Sequence, residues 1–231
     1  MLGKTIVFLN HTPYEKFWEP LTLAFCDYPH QVLDLNDHWE RTGDFDVFSR
    51  LDPGDPAFFI AHAQGAYFLL NYRLKRQNHP FQSCLIEPDD FCFTEGLIEK
   101  LRFLKSLEKV EFVDYLEQFY KQTSLPSRRL GELLASFDGQ ENFMKAQLSE
   151  ISRMIEDQGQ EIIRALRDAS FLLFHSDYGQ DSQELMERLE AQPFTRLSQA
   201  KSVILRDSDY LPFYGSGLEP ILGSVVEYLS A

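Results

Sequence analysis

Two hydrophobic periods alternate along this chain. Short continuous apolar runs, rich in β-branched and aromatic residues, are separated by stretches in which apolar residues recur every three or four positions. Thr5-Ile6-Val7-Phe8-Leu9 is the first such run and has the character of a strand buried on both faces. A polar turn, Asn10-His11-Thr12-Pro13, leads to Phe17, Trp18, Leu21 and Phe25 at helical spacing. Gln31–Leu35 predicts a second strand ending in polar Asn36-Asp37-His38. The turn signal Asp52-Pro53-Gly54-Asp55-Pro56 precedes a third strand at Ala57–Ile60, then a helix to about Gln77. Ser83–Glu87 is a fourth strand, stopped by Pro88.

From about Thr94 to Asp168 the strand-like runs vanish. Leu97, Leu101, Leu104 and Leu107 open a long helical series. Phe112, Tyr115, Leu116, Phe119 and Tyr120 continue it, and Met144, Leu148, Ile151, Ile155, Ile162, Ile163 and Leu166 close it. The aromatic members predict a buried seam rather than a cofactor site. Strand and helix then alternate again: Phe171–Phe174, Ser182–Leu189, Ser202–Leu205 and Leu218–Leu229. This order predicts an α/β chain with a mainly parallel sheet covered by helices on both faces. Residues 1–93 and 170–231 would form the core. Residues 94–169 would form an all-helical cap over the carboxyl ends of the strands, where open α/β sheets bind ligands.

The stretch Phe58-Phe59-Ile60-Ala61-His62-Ala63-Gln64-Gly65-Ala66 has the outline of a nucleophile elbow. In the Gly-x-Ser-x-Gly pattern a strand turns sharply into a helix with a serine at the apex; here the apex is Ala63. With the cap insertion and the proline-terminated run Leu85-Ile86-Glu87-Pro88, the chain resembles the α/β-hydrolase family over nearly its whole length. The resemblance makes Asn10 and His11 the turn that helps build an oxyanion hole, and it makes the Gln64 backbone N–H the other donor. It places an acid at Asp177, in Phe174-His175-Ser176-Asp177, with Asp181 as a second candidate. Asp209, or Ser208, then stands where the family carries its histidine, just ahead of Tyr210, Leu211 and Pro212.

No histidine lies beyond His175. Acyl transfer by this architecture needs a hydroxyl nucleophile, an imidazole to take its proton and an acid to orient the imidazole. Two of those three are missing, which counts against an ordinary esterase caught as a single-site inactive variant. His62 is expected to pack and hydrogen-bond beneath the turn. Asp177 and Asp209 are expected as turn or helix-capping residues, with a carboxylate acid–base pair as the alternative.

Charge narrows the partners. The 231 residues carry 22 Lys and Arg against 36 Asp and Glu, a formal net charge of −14. Such a field repels phosphate backbones and anionic headgroups, so neither nucleic acid nor a membrane is an expected partner. Cys26, Cys84 and Cys92 show no metal-type spacing, and no phosphate-binding loop appears; no metal and no cofactor are expected. Free cysteines in apolar stretches fit a reducing compartment, and the N-terminus lacks the pattern of a signal peptide, so a cytoplasmic location is expected.

The sequence therefore predicts a degenerate α/β-hydrolase-like protein that binds a small, partly apolar molecule or a protein partner without catalysis. The ligand would meet Asn10, His11, Ala63, Gln64, Asp177, Asp209 and Tyr210. The alternative is a hydrolase- or lyase-type enzyme with a rebuilt, serine-free site using His11, Asp177 and Asp209 for proton transfer.

Overall fold

The computed structural model describes residues 4–51, 57–75, 82–88, 102–167, 171–191 and 200–230. Six strands form one sheet: β1 (Thr5–Asn10), β2 (His30–Asp34), β3 (Ala57–His62), β4 (Gln82–Ile86), β5 (Phe171–Ser176) and β6 (Lys201–Leu205). Their order is β2-β1-β3-β4-β5-β6, and all five pairings are parallel. Leu9 lies beside Leu33 on one side and Ala61 on the other, while Leu85 lies between Ala61 and Leu173. The inner strands carry unbroken apolar runs because helices cover both their faces, and β5 is buried at every position. The edge strands β2 and β6 are mostly exposed or half-buried.

The chain starts in the sheet interior at β1, steps out to β2, and returns across β1 to β3 before progressing to β6. That reversal opens a crevice at the carboxyl ends of β1 and β3, the point at which doubly wound sheets hold ligands. The residues just past those ends are Asn10, His11 and Thr12 on one side and Ala63 and Gln64 on the other.

Helices α1 (Glu19–Ala24), α2 (Leu35–Thr42) and α3 (Gly65–Lys75) connect the first strands. Asn36, Asp37 and His38, expected as a polar strand end, belong to α2. The Asp34 carboxylate caps that helix by accepting the Asp37 N–H at 2.9 Å, which satisfies an otherwise orphaned donor. Between β4 and β5 come α4 (Lys109–Tyr120), α5 (Ser127–Ser136) and α6 (Glu141–Arg167). The last apolar series of the cap region is one unbroken helix of 27 residues, which packs on α3. Helix α7 (Ser182–Ala191) precedes β6, and α8 (Leu218–Ser230) follows it. The turn expected at Asp52–Pro56, Cys92, and the cap positions Thr94, Leu97 and Leu101 lie outside the described residues.

Candidate ligand-binding site

At the end of β3 the chain turns into α3 through Ala63, whose φ of +43° is in the left-handed region. Its N–H donates to the Ile86 carbonyl at 3.0 Å, and its carbonyl accepts the Ala66 N–H at 3.0 Å. A residue with a Cβ in this conformation costs on the order of 1 kcal/mol. The turn thus keeps the strained geometry of an elbow while the side chain at its apex is a methyl group.

His62, the last residue of β3, is fully buried. Its Nε2 lies 2.7 Å from the Tyr210 carbonyl, so Nε2 carries the hydrogen and donates. Burial holds its pKa down to about 4 even though that bond favours the charged form. The His11 ring stacks on it with centroids 5.6 Å apart. Burial, and then the neighbouring His62, push the His11 pKa well below the ordinary histidine value. Both imidazoles are neutral at physiological pH.

The polar residues singled out in the sequence divide into two groups. Asn10 ties the ends of β1 and β2 together: its Nδ2 donates to Asp34 at 2.7 Å and to the Tyr14 carbonyl, and its Oδ1 accepts from Thr12. Asp177 is turned into its own loop, accepting the backbone N–H groups of Asp207, Ser208 and Gly179 at 3.1–3.3 Å. Burial raises its carboxyl, but these amides and Arg206 outweigh burial and leave its pKa lowered. Asp181 caps α7 by accepting from Gln183 and Glu184. Asp209 reaches across to the loop between α4 and α5, where Oδ2 accepts from both the backbone N–H and the hydroxyl of Ser124; Oδ1 accepts the Leu211 N–H at 2.8 Å. Neither Asp177, Asp209, Asn10 nor Ala63 lines the cavity described next; His11, Gln64 and Tyr210 do.

That cavity, of about 170 Å³, lies between the carboxyl ends of the strands and the helices inserted after β4. Thr12, His11, Gln64 and Glu87 form its sheet side, and Leu104, Phe112, Leu116, Met144 and Leu148 form an apolar roof. Tyr115, Phe119 and Tyr120 from α4, with Tyr178 and Tyr210, add aromatic rings. The aromatic seam of α4 is therefore the wall of the cavity as well as part of the core.

Two sets of bonds hold roof to sheet. Gln147 of α6 donates to the His11 carbonyl at 2.8 Å, and Phe119 packs edge-on against Tyr210 at 4.7 Å. Farther out, the Tyr14 hydroxyl donates to Glu132 at 3.0 Å and accepts from Arg129, which also pairs with Glu19. The Asp209–Ser124 contact belongs to this set. Asp209→Ala should cost about 1 kcal/mol in urea unfolding, because it removes the charged acceptor of the part-buried Leu211 amide, while the exposed Ser124 groups can turn to water.

Glu87, a strand end by its sequence alone, is a further residue of this site. It follows β4, sits at φ +44°, and is 3% exposed. Its carboxylate accepts the Ser176 N–H and, at 2.9 Å, the Tyr178 hydroxyl. Burial pushes its pKa up to about 7, against the pull of those donors and of Arg188. The signal was present in Leu85-Ile86-Glu87-Pro88: a carboxylate directly after a buried strand, at the sheet edge where ligands collect. Among the described residues no cluster of side chains could hold a metal ion, and no helix is long and apolar enough to cross a membrane.

No family model matches the chain, and no curated protein matches it. Solved structures do. A loop variant of a haloalkane dehalogenase from Bradyrhizobium elkanii superposes with a TM-score of 0.65 over 99% of this chain and 89% of its own, at 14% identity. The chain has an α/β-hydrolase fold. A thermophilic esterase from Thermogutta terrifontis (TM-score 0.63, 12% identity, 99% and 90% covered) and a hydrolase from Oleispira antarctica (0.61, 14%, 98% and 91%) share it. At such identities the likeness is one of fold. Ala63 stands in the sharp turn from β3 into α3.

Proposed function

We infer that this α/β-hydrolase-like protein binds a small, partly apolar molecule in the cavity beneath α4–α6 and does not carry out acyl transfer. The observation that carries this reading is the elbow: its strained turn is intact around Ala63, yet the apex offers no nucleophile. Asp209, in the histidine's place, spends its carboxylate on Ser124 and Leu211. His11 and His62 are near the turn but have no hydroxyl to activate. A concave, mostly apolar cavity with a few polar groups is the usual form of a small-molecule site.

The protein-partner alternative calls for a contiguous exposed apolar patch. The large exposed apolar side chains include Leu23, Val110 and Met186, which lie on three different helices. A proton-transfer enzyme is the second reading, favoured by Glu87, since a carboxyl titrating near neutrality in a dry wall suits acid–base work.

Both readings meet the same assay, a series of p-nitrophenyl esters of rising chain length. Neither the unmodified protein nor Ala63→Ser is expected to exceed the buffer rate. A restored serine still lacks a base, and loss of a triad member alone costs up to about 10⁶-fold. Turnover by the unmodified protein that disappears in Glu87→Gln would overturn the binding reading in favour of the enzyme.

A further inference from the structure

The cavity is chemically one-sided. Glu87 is the only charged side chain among the described residues that line it; no Lys or Arg does so. The Glu87 oxygens accept from Ser176 and Tyr178, which leaves lone pairs for another donor. Gln64 also lines the cavity, and its Oε1 is buried without a hydrogen-bond partner, a second acceptor in want of an N–H or O–H. Around them stand the faces and edges of Phe112, Tyr115, Phe119, Tyr120, Tyr178 and Tyr210. A buried carboxylate, an unsatisfied amide oxygen and a wall of aromatic rings have one ligand chemistry in common: an organic cation that still bears N–H groups.

Resting on the binding reading above, we propose that this cavity selects small aromatic or cycloaliphatic amines, with the ammonium group on Glu87 and Gln64 and the hydrocarbon part against the cap. Size agrees: an apolar cavity of about 150 Å³ accommodates benzene, and this one measures about 170 Å³. The net charge of −14 draws cations toward the surface. Two features work the other way. Arg188 lies over the Tyr178 ring at 4.7 Å, outside the cavity lining, and the amino end of α3 near Gln64 favours an anion. A carboxylate ligand, however, would have to approach the Glu87 carboxylate directly.

Glu87 faces Tyr178 and Arg188 from the β5 side and α7. His11, Tyr115, Tyr120 and Tyr210 share the cavity with it. Of these, His11 is held neutral by burial, and burial pushes the Tyr120 hydroxyl further up, so Glu87 sets the pH dependence. Ionised Glu87 attracts the ammonium; protonated Glu87 does not. Amine affinity should therefore rise as pH increases from 6 to 8.

The test uses the full chain and three probes of one skeleton: benzylamine, benzyl alcohol and benzoate, titrated by calorimetry at pH 6 and pH 8. Benzylamine should bind at pH 8 at least about tenfold tighter than benzyl alcohol, with benzoate weakest. That advantage should shrink at pH 6 and disappear in Glu87→Gln. If benzyl alcohol or benzoate binds as tightly as benzylamine at pH 8, the amine preference is wrong while the binding reading survives. If none of the three binds, and a broader set of small apolar neutral molecules is also silent, the binding reading itself falls. The pH comparison on the unmodified protein stands even if Glu87→Gln fails to fold, and an affinity for benzylamine that is flat with pH would remove Glu87 from the site.

Discussion

At pH 8 the variant Glu87→Gln is expected to be more stable than the unmodified protein by about 3 kcal/mol, and at pH 4.5 the two should be indistinguishable. The reason is linkage. An unfolded chain ionises this carboxyl near 4.5, whereas the folded chain holds its proton until about 7. Below 4.5 both states are protonated and burial carries no ionic cost. As pH rises from 4.5 to 7 the unfolded state releases the proton first, so the stability contributed by the neutral side chain is lost progressively, and above 7 the loss is complete. The gap between 4.5 and about 7 corresponds to about 3 kcal/mol. Glutamine keeps the shape without the charge. Urea unfolding of both proteins at the two pH values is the check. An equal difference at pH 4.5 and pH 8 would mean that packing, not ionisation, separates them. The same substitution should remove the preference for amines, so the residue that weakens the fold at neutral pH is the one that gives the cavity its selectivity, a familiar trade between stability and function.

Acid should act in the opposite direction through the buried histidines. His62 and His175 are both fully buried, and burial holds each near 4, with the Arg188 charge adding to the effect at His175. An unfolded chain protonates them near the ordinary value of 6.5. Their contribution is therefore fully present above 6.5 and is lost as pH falls toward 4, by about 3 kcal/mol for each. Glu87 regains stability over much of the same range and cancels about one of those losses. His175→Phe keeps an aromatic ring on β5 and removes one titration. The drop in unfolding free energy between pH 7 and pH 4 should then be smaller by about 3 kcal/mol than in the unmodified protein. An undiminished drop would place the acid sensitivity elsewhere. His62 is the poorer site for this substitution because its Nε2 anchors the Tyr210 carbonyl.

The architecture was legible because the inner strands of a parallel sheet must be apolar on both faces. The runs at Ile6–Leu9 and Phe171–Phe174 could hardly be anything else once helical stretches separated them. The elbow was legible because a strand, a small residue at the apex and a glycine two positions on describe a sharp turn. Asp34 shows the limit: its cap on α2 converts what reads as a polar strand end into a helix. The site was read less completely, since residue type does not tell which way a carboxylate points. Asp177 and Asp209 read as candidate ligand contacts, but backbone amides in their own loops and Ser124 claim their oxygens. Glu87 carries no motif, and its importance comes from burial, which depends on β5, α7 and the cap arriving from distant parts of the chain.

The open flank of the sheet bears on how this protein behaves in concentrated solution. Strand β2 leaves its outer row of backbone groups without a neighbouring strand among the described residues, and Val32 on it is 42% exposed. An unguarded edge is a template for intermolecular pairing. Here the edge is only five residues long, and polar His30, Gln31 and Asp34 accompany that valine. Mutual repulsion between molecules of charge −14 supplies the remaining protection. Near the isoelectric point of about 4.8 that repulsion vanishes, in the same range where the buried histidines undermine the fold. Colloidal and conformational stability thus fail together, and mild acidity is the condition under which this molecule is driven toward aggregation.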